Sequence, residues 1–220
     1  MKIRVAGAVV VFLWAISHAH SQPSGGVPEI SSHDDAGQFA AVILAATEDA
    51  WHRILGEGGQ KYVEPTLVLY TSATGTACGV ATSGSGGNFY CPSDQKIYFD
   101  SDSVGGYAAQ GDPLGDYLTV WLIVRGVSEH VQNLRGEIVL EGDPRRGSLQ
   151  ADCYVGIWSK SPESLFTADD FAALNLALLR FAEADSRSET GAATFGTPDE
   201  RVHWLGVGHA SGRVEDCRIE

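Results

Sequence analysis

The residue types that can do chemistry are scattered. Arg125 and Glu129 lie four apart in the run IVRGVSEHVQN, and His130 follows directly. Four-residue spacing puts Arg125 and Glu129 on one helix face, close enough for an ion pair. His130 is rotated by about 100° from Glu129 around a helix. It therefore faces a different side and makes a weak partner for Glu129 and Asp152 in a metal site. His52, His203 and His209 show no ligand spacing with one another, and read as surface or packing residues. No G-x-S-x-G elbow is present, and Ser148 has no local base for nucleophilic attack. Cys78, Cys91, Cys153 and Cys217 include no close Cys-x-x-Cys pair, which argues against a zinc knuckle and leaves three disulfide pairings open. A Cys78–Cys91 bridge would tie down the Gly/Ser-rich loop SGSGG at 83–87.

The elements that must hold these groups are mostly helices. Phe39, Val42, Ile43, Ala46, Ala50 and Ile54 recur at steps of three and four, which predicts a helix over Gln38 to Leu55. A long helix is expected from Leu114 to Leu134, ending at Gly136. Leu114, Leu118, Trp121, Leu122 and Val124 make it apolar over much of its circumference, as a central buried helix requires. Further helices fit Gln150 to Trp158 and Ala168 to Ala184, the latter with Thr167 and Asp170 as a capping pair. TLVLY at 66–70 and KIYFD at 96–100 read as strands. The stretch from Phe195 to Glu220 reads as glycine-punctuated turns. The fold class is α+β in one domain, mainly helical with a small β-sheet and one long central helix.

The first residues, MKIRVAGAVVVFLWAISHAHSQ, have the layout of a secretory signal peptide. Lys2 and Arg4 precede an uncharged run from Val5 to Ile16, and small residues allow cleavage near Ala19 or Ser21. Twelve apolar residues span about 18 Å as a helix, short of a ~30 Å bilayer core. The expected organisation is a signal peptide at 1–21, a flexible lead-in at 22–37 and a domain over 38–220, secreted or periplasmic and free of the membrane after cleavage. The 220-residue chain carries 28 Asp and Glu against 15 Lys and Arg, a net charge of −13. That excess excludes a phosphate-binding face for nucleic acid.

Five blocks in order resemble the bacterial neutral zinc metallopeptidases: TACG at 76–79, FYCPSDQKIYFD at 89–100, HVQNLRG at 130–136, LQADCYVGIW at 149–158, and FGTPDERVHW at 195–204. The resemblance implies a zincin-like protease. Its central helix would carry His-Glu-x-x-His, two His binding zinc and the Glu activating a bound water. A third ligand, a Glu, would stand just before Leu149, and an Asp four residues later would orient a ligand His. It also implies a Cys153–Cys217 pair, since both fall in matching blocks, and leaves Cys78 with Cys91.

Against that pattern this chain has Arg125 at the first His, Gly126 at the catalytic Glu, Glu129 at the second His and Ser148 at the third ligand. Only the flanking His130 and the orienting Asp152 are kept. Arg cannot shed its proton to ligate a cation, Gly has no base, and Ser is a poor zinc donor. The expectation is therefore a pseudo-peptidase without zinc or other cofactor, with no competent catalytic residue, binding a peptide or a protein in the remnant cleft. An Arg125–Glu129 pair would fill the vacated metal site, with Asp152 as a further acceptor. The alternatives are an active metallopeptidase or hydrolase with a rearranged site built on Glu129, His130 and Asp152, and an interaction module whose cleft is closed by side chains.

Overall fold

A computed structural model describes residues 33–83, 87–102, 114–138, 143–188 and 191–219. The stretch read as a signal peptide lies outside them. Helix α1 spans His33–Glu57. It starts inside the segment expected to be a flexible lead-in, so the last residues of that segment are helical. Phe39, Ile43 and Ala50 are buried as the apolar spacing requires, but Val42 is half exposed, and Trp51 and Leu55 supply more of the contact.

Strands β1 (Thr66–Tyr70) and β5 (Lys96–Asp100) pair in parallel, and β4 (Phe89–Cys91) runs antiparallel on the other side of β5. The sheet order is β1-β5-β4. As the central strand, β5 buries Ile97, Tyr98, Phe99 and Asp100. A separate hairpin joins β2 (Ala73–Thr76) to β3 (Gly79–Thr82). Its residues, ATGT and GVAT, are too small and too polar to announce strands in the sequence. The Cys78–Cys91 disulfide fastens the turn of this hairpin to β4.

Helix α2 (Gly115–Leu134) runs through the middle. One side of it, with Trp121 and Val124, packs against Phe39, Ile43, Trp158 and Leu178. The other, with Val127 and Val131, packs against Trp51, Tyr62, Ile97 and Tyr154. Burial on both sides explains why its sequence is apolar nearly all round. Gly136 takes φ +67° just beyond the helix end, a conformation that suits glycine.

Helix α3 (Pro144–Lys160) begins six residues before the expected Gln150. Asp143 caps it by accepting from the Arg145 N–H at 3.0 Å, and Pro144 fits the first turn. Helix α4 (Ala168–Asp185) carries the Thr167/Asp170 capping box. The short α5 (Gly191–Phe195) follows, and then α6 (Pro198–Ser211). The tail is therefore largely helix, not a series of turns. Thr197 and Glu200 form a second capping box ahead of α6. One glycine from each helix serves the packing of α6 on α3: a Cβ on Gly208 of α6 would sit 1.8 Å from the Cys153 carbonyl oxygen, and one on Gly156 of α3 would sit 2.1 Å from that of Leu205. Only bare backbones let α3 and α6 come so close. The Cys153–Cys217 disulfide ties α3 to the chain end. The architecture is one α+β domain, and no described helix is long and apolar enough to cross a membrane.

Candidate functional site

Helices α2, α3 and α6 meet around one buried carboxylate, Asp152. Its Oδ1 accepts from Trp121 Nε1 at 3.0 Å and from Arg125 Nη1 at 2.9 Å. Its Oδ2 accepts from Arg201 Nε at 2.9 Å. Arg125 reaches Asp152 from one turn after Trp121 on α2, and Arg201 comes from the first half of α6. Both guanidinium groups lie over the Trp121 ring, 5.3 and 5.0 Å from its centre.

Arg125 is the hub. It also donates through Nη1 to the Ser148 carbonyl at 3.2 Å and through Nη2 to Ser148 Oγ at 3.0 Å. Its Nε lies 3.3 Å from Glu129 Oε1. Ser148 Oγ in turn donates to the Phe195 carbonyl at 3.1 Å. Burial works against the Arg125 charge, but Asp152 and Glu129 outweigh it and hold its pKa above the ordinary value. Glu129 is pushed up by burial, and the Arg125 guanidinium opposes this only in part. Two arginines and two carboxylates make the cluster neutral as it stands.

Gly126 lies on the same face, under β5. A Cβ there would come 2.8 Å from Ile97 Cγ2, so Ile97 occupies the space a side chain at 126 would need. Above these residues opens a cavity of about 290 Å³, walled mainly by aromatic and aliphatic groups that include Phe89, Phe99, Leu122 and Phe181.

The structure thus brings Arg125, Gly126, Glu129, Ser148 and Asp152 to one place. Asp152, not Glu129, is the closer and more buried partner of Arg125. His130 is elsewhere. Asn133 Nδ2 donates to the Tyr90 hydroxyl at 2.9 Å, so that hydroxyl donates onward to His130 Nδ1 at 2.9 Å. Nε2–H then donates to the Val63 carbonyl at 2.7 Å. With both ring nitrogens engaged, His130 is a neutral clamp between α2, β4 and the segment before β1, and burial pushes its pKa down. Of the other histidines, His52 pairs with Glu64 at 2.6 Å on the surface, and His203 sits edge-on to Trp204. His209 stacks on Phe171 with ring centres 3.5 Å apart.

Arg201 and Trp121 are site residues that the sequence reading missed. Reading the tail as turns left Arg201 without a place, although the run DERVHW, behind a Thr-Pro helix start, carried the signal.

Zinc is the metal that this kind of site would hold, and the donor set does not fit it. The positions offer a guanidinium, a glycine, a hydroxyl already bonded on two sides and one carboxylate paired to the guanidinium. A permanent cation at the centre repels a second one. Among the described residues, no group of three His, Cys, Asp or Glu side chains could hold a metal ion.

A family model described as "Putative neutral zinc metallopeptidase" matches residues 12–141. That stretch includes α2 and ends before α3. "Uncharacterized protein YpfJ" of Escherichia coli K12 is 33% identical over 210 residues, covering 84% of this chain and 72% of that protein. "Uncharacterized protein Rv2575" of Mycobacterium tuberculosis H37Rv is 27% identical over 225 residues, covering 90% and 76%. No solved structure matches the chain. Identity at this level across most of both chains, together with the family match, shows that this chain belongs to the neutral zinc metallopeptidase family.

Proposed function

We propose that this protein is an exported pseudo-peptidase, a family member whose zinc site has become an ion-pair network and whose cleft binds a peptide or a segment of a partner protein. The observation that carries the reading is Arg125. It stands where the resemblance calls for a zinc-binding His, and it spends its donors on Asp152, Ser148 and Glu129. The network is neutral and hydrogen-bonded, which is what a buried charge cluster needs in order to persist. Gly126 provides no base, and Ile97 fills the space beside it. The cavity over the network gives the binding half of the reading a place. The two disulfides suit an oxidising compartment, in keeping with the signal-like start of the chain. No observation favours the rearranged metallohydrolase, since His130 turns away from Glu129 and Asp152.

The test is hydrolysis of an unfolded protein substrate such as reduced casein, with added zinc and with chelator. The expected result is no cleavage above the rate of a heat-inactivated control in either condition. Chelator-sensitive cleavage that co-purifies with the monodisperse protein would overturn the proposal.

A further inference from the structure

Arg201 is a polar group of the cavity wall whose partners, among the described residues, are incomplete. Arg201 is 1% exposed and lines the cavity. Its Nε is committed to Asp152, while Nη1 and Nη2 have no hydrogen-bond acceptor among the described residues. Rings surround that edge instead: Trp121, Phe181 and Phe195 lie 5.0, 5.8 and 5.9 Å from the guanidinium carbon. Faces of rings attract the charge but leave four N–H donors without an oxygen among the described residues. These donors lie at the cavity wall, so a ligand that supplies oxygens there is favoured. The carboxylates that line the cavity are under no such constraint. Glu129 is 28% exposed and pairs with Arg125, and Asp185 is only partly buried.

We propose that the cavity takes a single apolar residue bearing a carboxylate, with the carboxylate seated on the Nη edge of Arg201 and the apolar group between Phe89, Phe181 and Phe195. This rests on the binding reading above and names its ligand chemistry. A planar guanidinium edge offers two parallel N–H donors, the geometry that a carboxylate matches best. Arg125, Glu129, Asp152 and Arg201 sum to zero, and Asp185 at the wall adds one negative charge, so an anion is held by the local Nη edge against that charge and not by a net positive field. The volume, at the low end of the roughly 300–1,000 Å³ range of ligand sites, suits one residue rather than a long peptide. The same chemistry occurs in a free aromatic acid and in the C-terminal residue of a peptide.

The experiment follows tryptophan fluorescence and titration heat in the full chain with four probes: N-acetyl-phenylalanine, its amide, and a pentapeptide ending in Phe with a free or an amidated C-terminus. The expected result is that acids bind at least tenfold more tightly than the matching amides. A preference confined to the peptide acid identifies a C-terminus as the source, and one shared with N-acetyl-phenylalanine identifies the small acid. Arg201→Lys is expected to lose the acid preference. Phe195→Ala, at the cavity rim, should weaken every probe at least threefold without touching Asp152. Asp185→Asn should tighten the acids a few-fold by removing a like charge. Equal affinity for acid and amide, or no binding of either by folded wild-type protein, overturns the proposal. Failure of the pseudo-peptidase reading looks different: it appears as chelator-sensitive hydrolysis, whichever probe binds.

Discussion

Replacing Arg125 by Ala strips four contacts at once: Asp152 at 2.9 Å, the Ser148 carbonyl and hydroxyl at 3.2 and 3.0 Å, and Glu129 at 3.3 Å. Removing one partner of a buried ion pair costs about 3–5 kcal/mol. Asp152 keeps Arg201 and Trp121, so the loss belongs at the low end, about 3 kcal/mol. The two carboxylates are not equal partners. Asp152 is wholly buried and hydrogen-bonded to Arg125, whereas the Glu129 side chain is 28% exposed and the contact is longer. In double-mutant cycles, Arg125→Ala with Asp152→Asn should give a coupling of about 2–3 kcal/mol. Arg125→Ala with Glu129→Ala should give under about 1 kcal/mol, as for a solvent-touched pair. Urea unfolding at pH 7.5 measures both. At a slope of roughly 1–3 kcal/mol per molar, a 3 kcal/mol loss moves the midpoint by about 1 M or more. A loss under about 1 kcal/mol for Arg125→Ala, or a larger coupling to Glu129 than to Asp152, would refute the view that Arg125 took over the ligand position by pairing with Asp152.

Three other outcomes follow from the packing and the titrating groups. Gly208→Ala should cost more than about 3 kcal/mol or prevent folding, because its Cβ would meet the Cys153 carbonyl, while Gly206→Ala on the same helix meets nothing within 4 Å and should gain up to about 1 kcal/mol in thermal or urea unfolding. His130 has a folded pKa below its unfolded value of about 6.5, so its contribution is intact above that pH and is lost as pH falls from there towards the folded pKa; the stability gap between wild type and His130→Gln should therefore narrow between pH 7 and pH 5. Removing the Cys153–Cys217 bridge, which spans 64 residues, should cost about 4 kcal/mol on the chain-entropy account, against about 3 kcal/mol for Cys78–Cys91 with its span of 13, as read by denaturant unfolding of paired Cys→Ser variants.

The long helices were legible because burial writes itself as periodicity. Trp121, Val124 and Val127 on α2, and the Thr167–Asp170 box before α4, declare their elements without help from the rest of the chain. What stayed hidden depends on neighbours. Gly208 reads as a break until α3 is seen against it, since a glycine that admits a partner backbone looks in sequence like one that turns the chain. Strands β2 to β4 are three or four residues long, below the length at which alternation carries a signal. At the site, the spacing of Arg125 and Glu129 revealed the shared face, and the family resemblance pointed to Ser148 and Asp152. Arg201 could not be found that way. Its role is set by a contact to Asp152 across 49 residues of sequence, and local spacing does not encode such contacts.

The central claim is that the family's zinc position is held by a guanidinium and rejects the metal. The most direct test is equilibrium dialysis of the purified protein against micromolar zinc at pH 7.5, with bound metal counted by mass spectrometry and thermal unfolding run with and without chelator. The account predicts well under one zinc per chain and no change in melting temperature, because no metal-binding energy supports the fold. One tightly bound zinc per chain, lost together with stability on chelation and abolished by Glu129→Ala or Asp152→Asn, would contradict it.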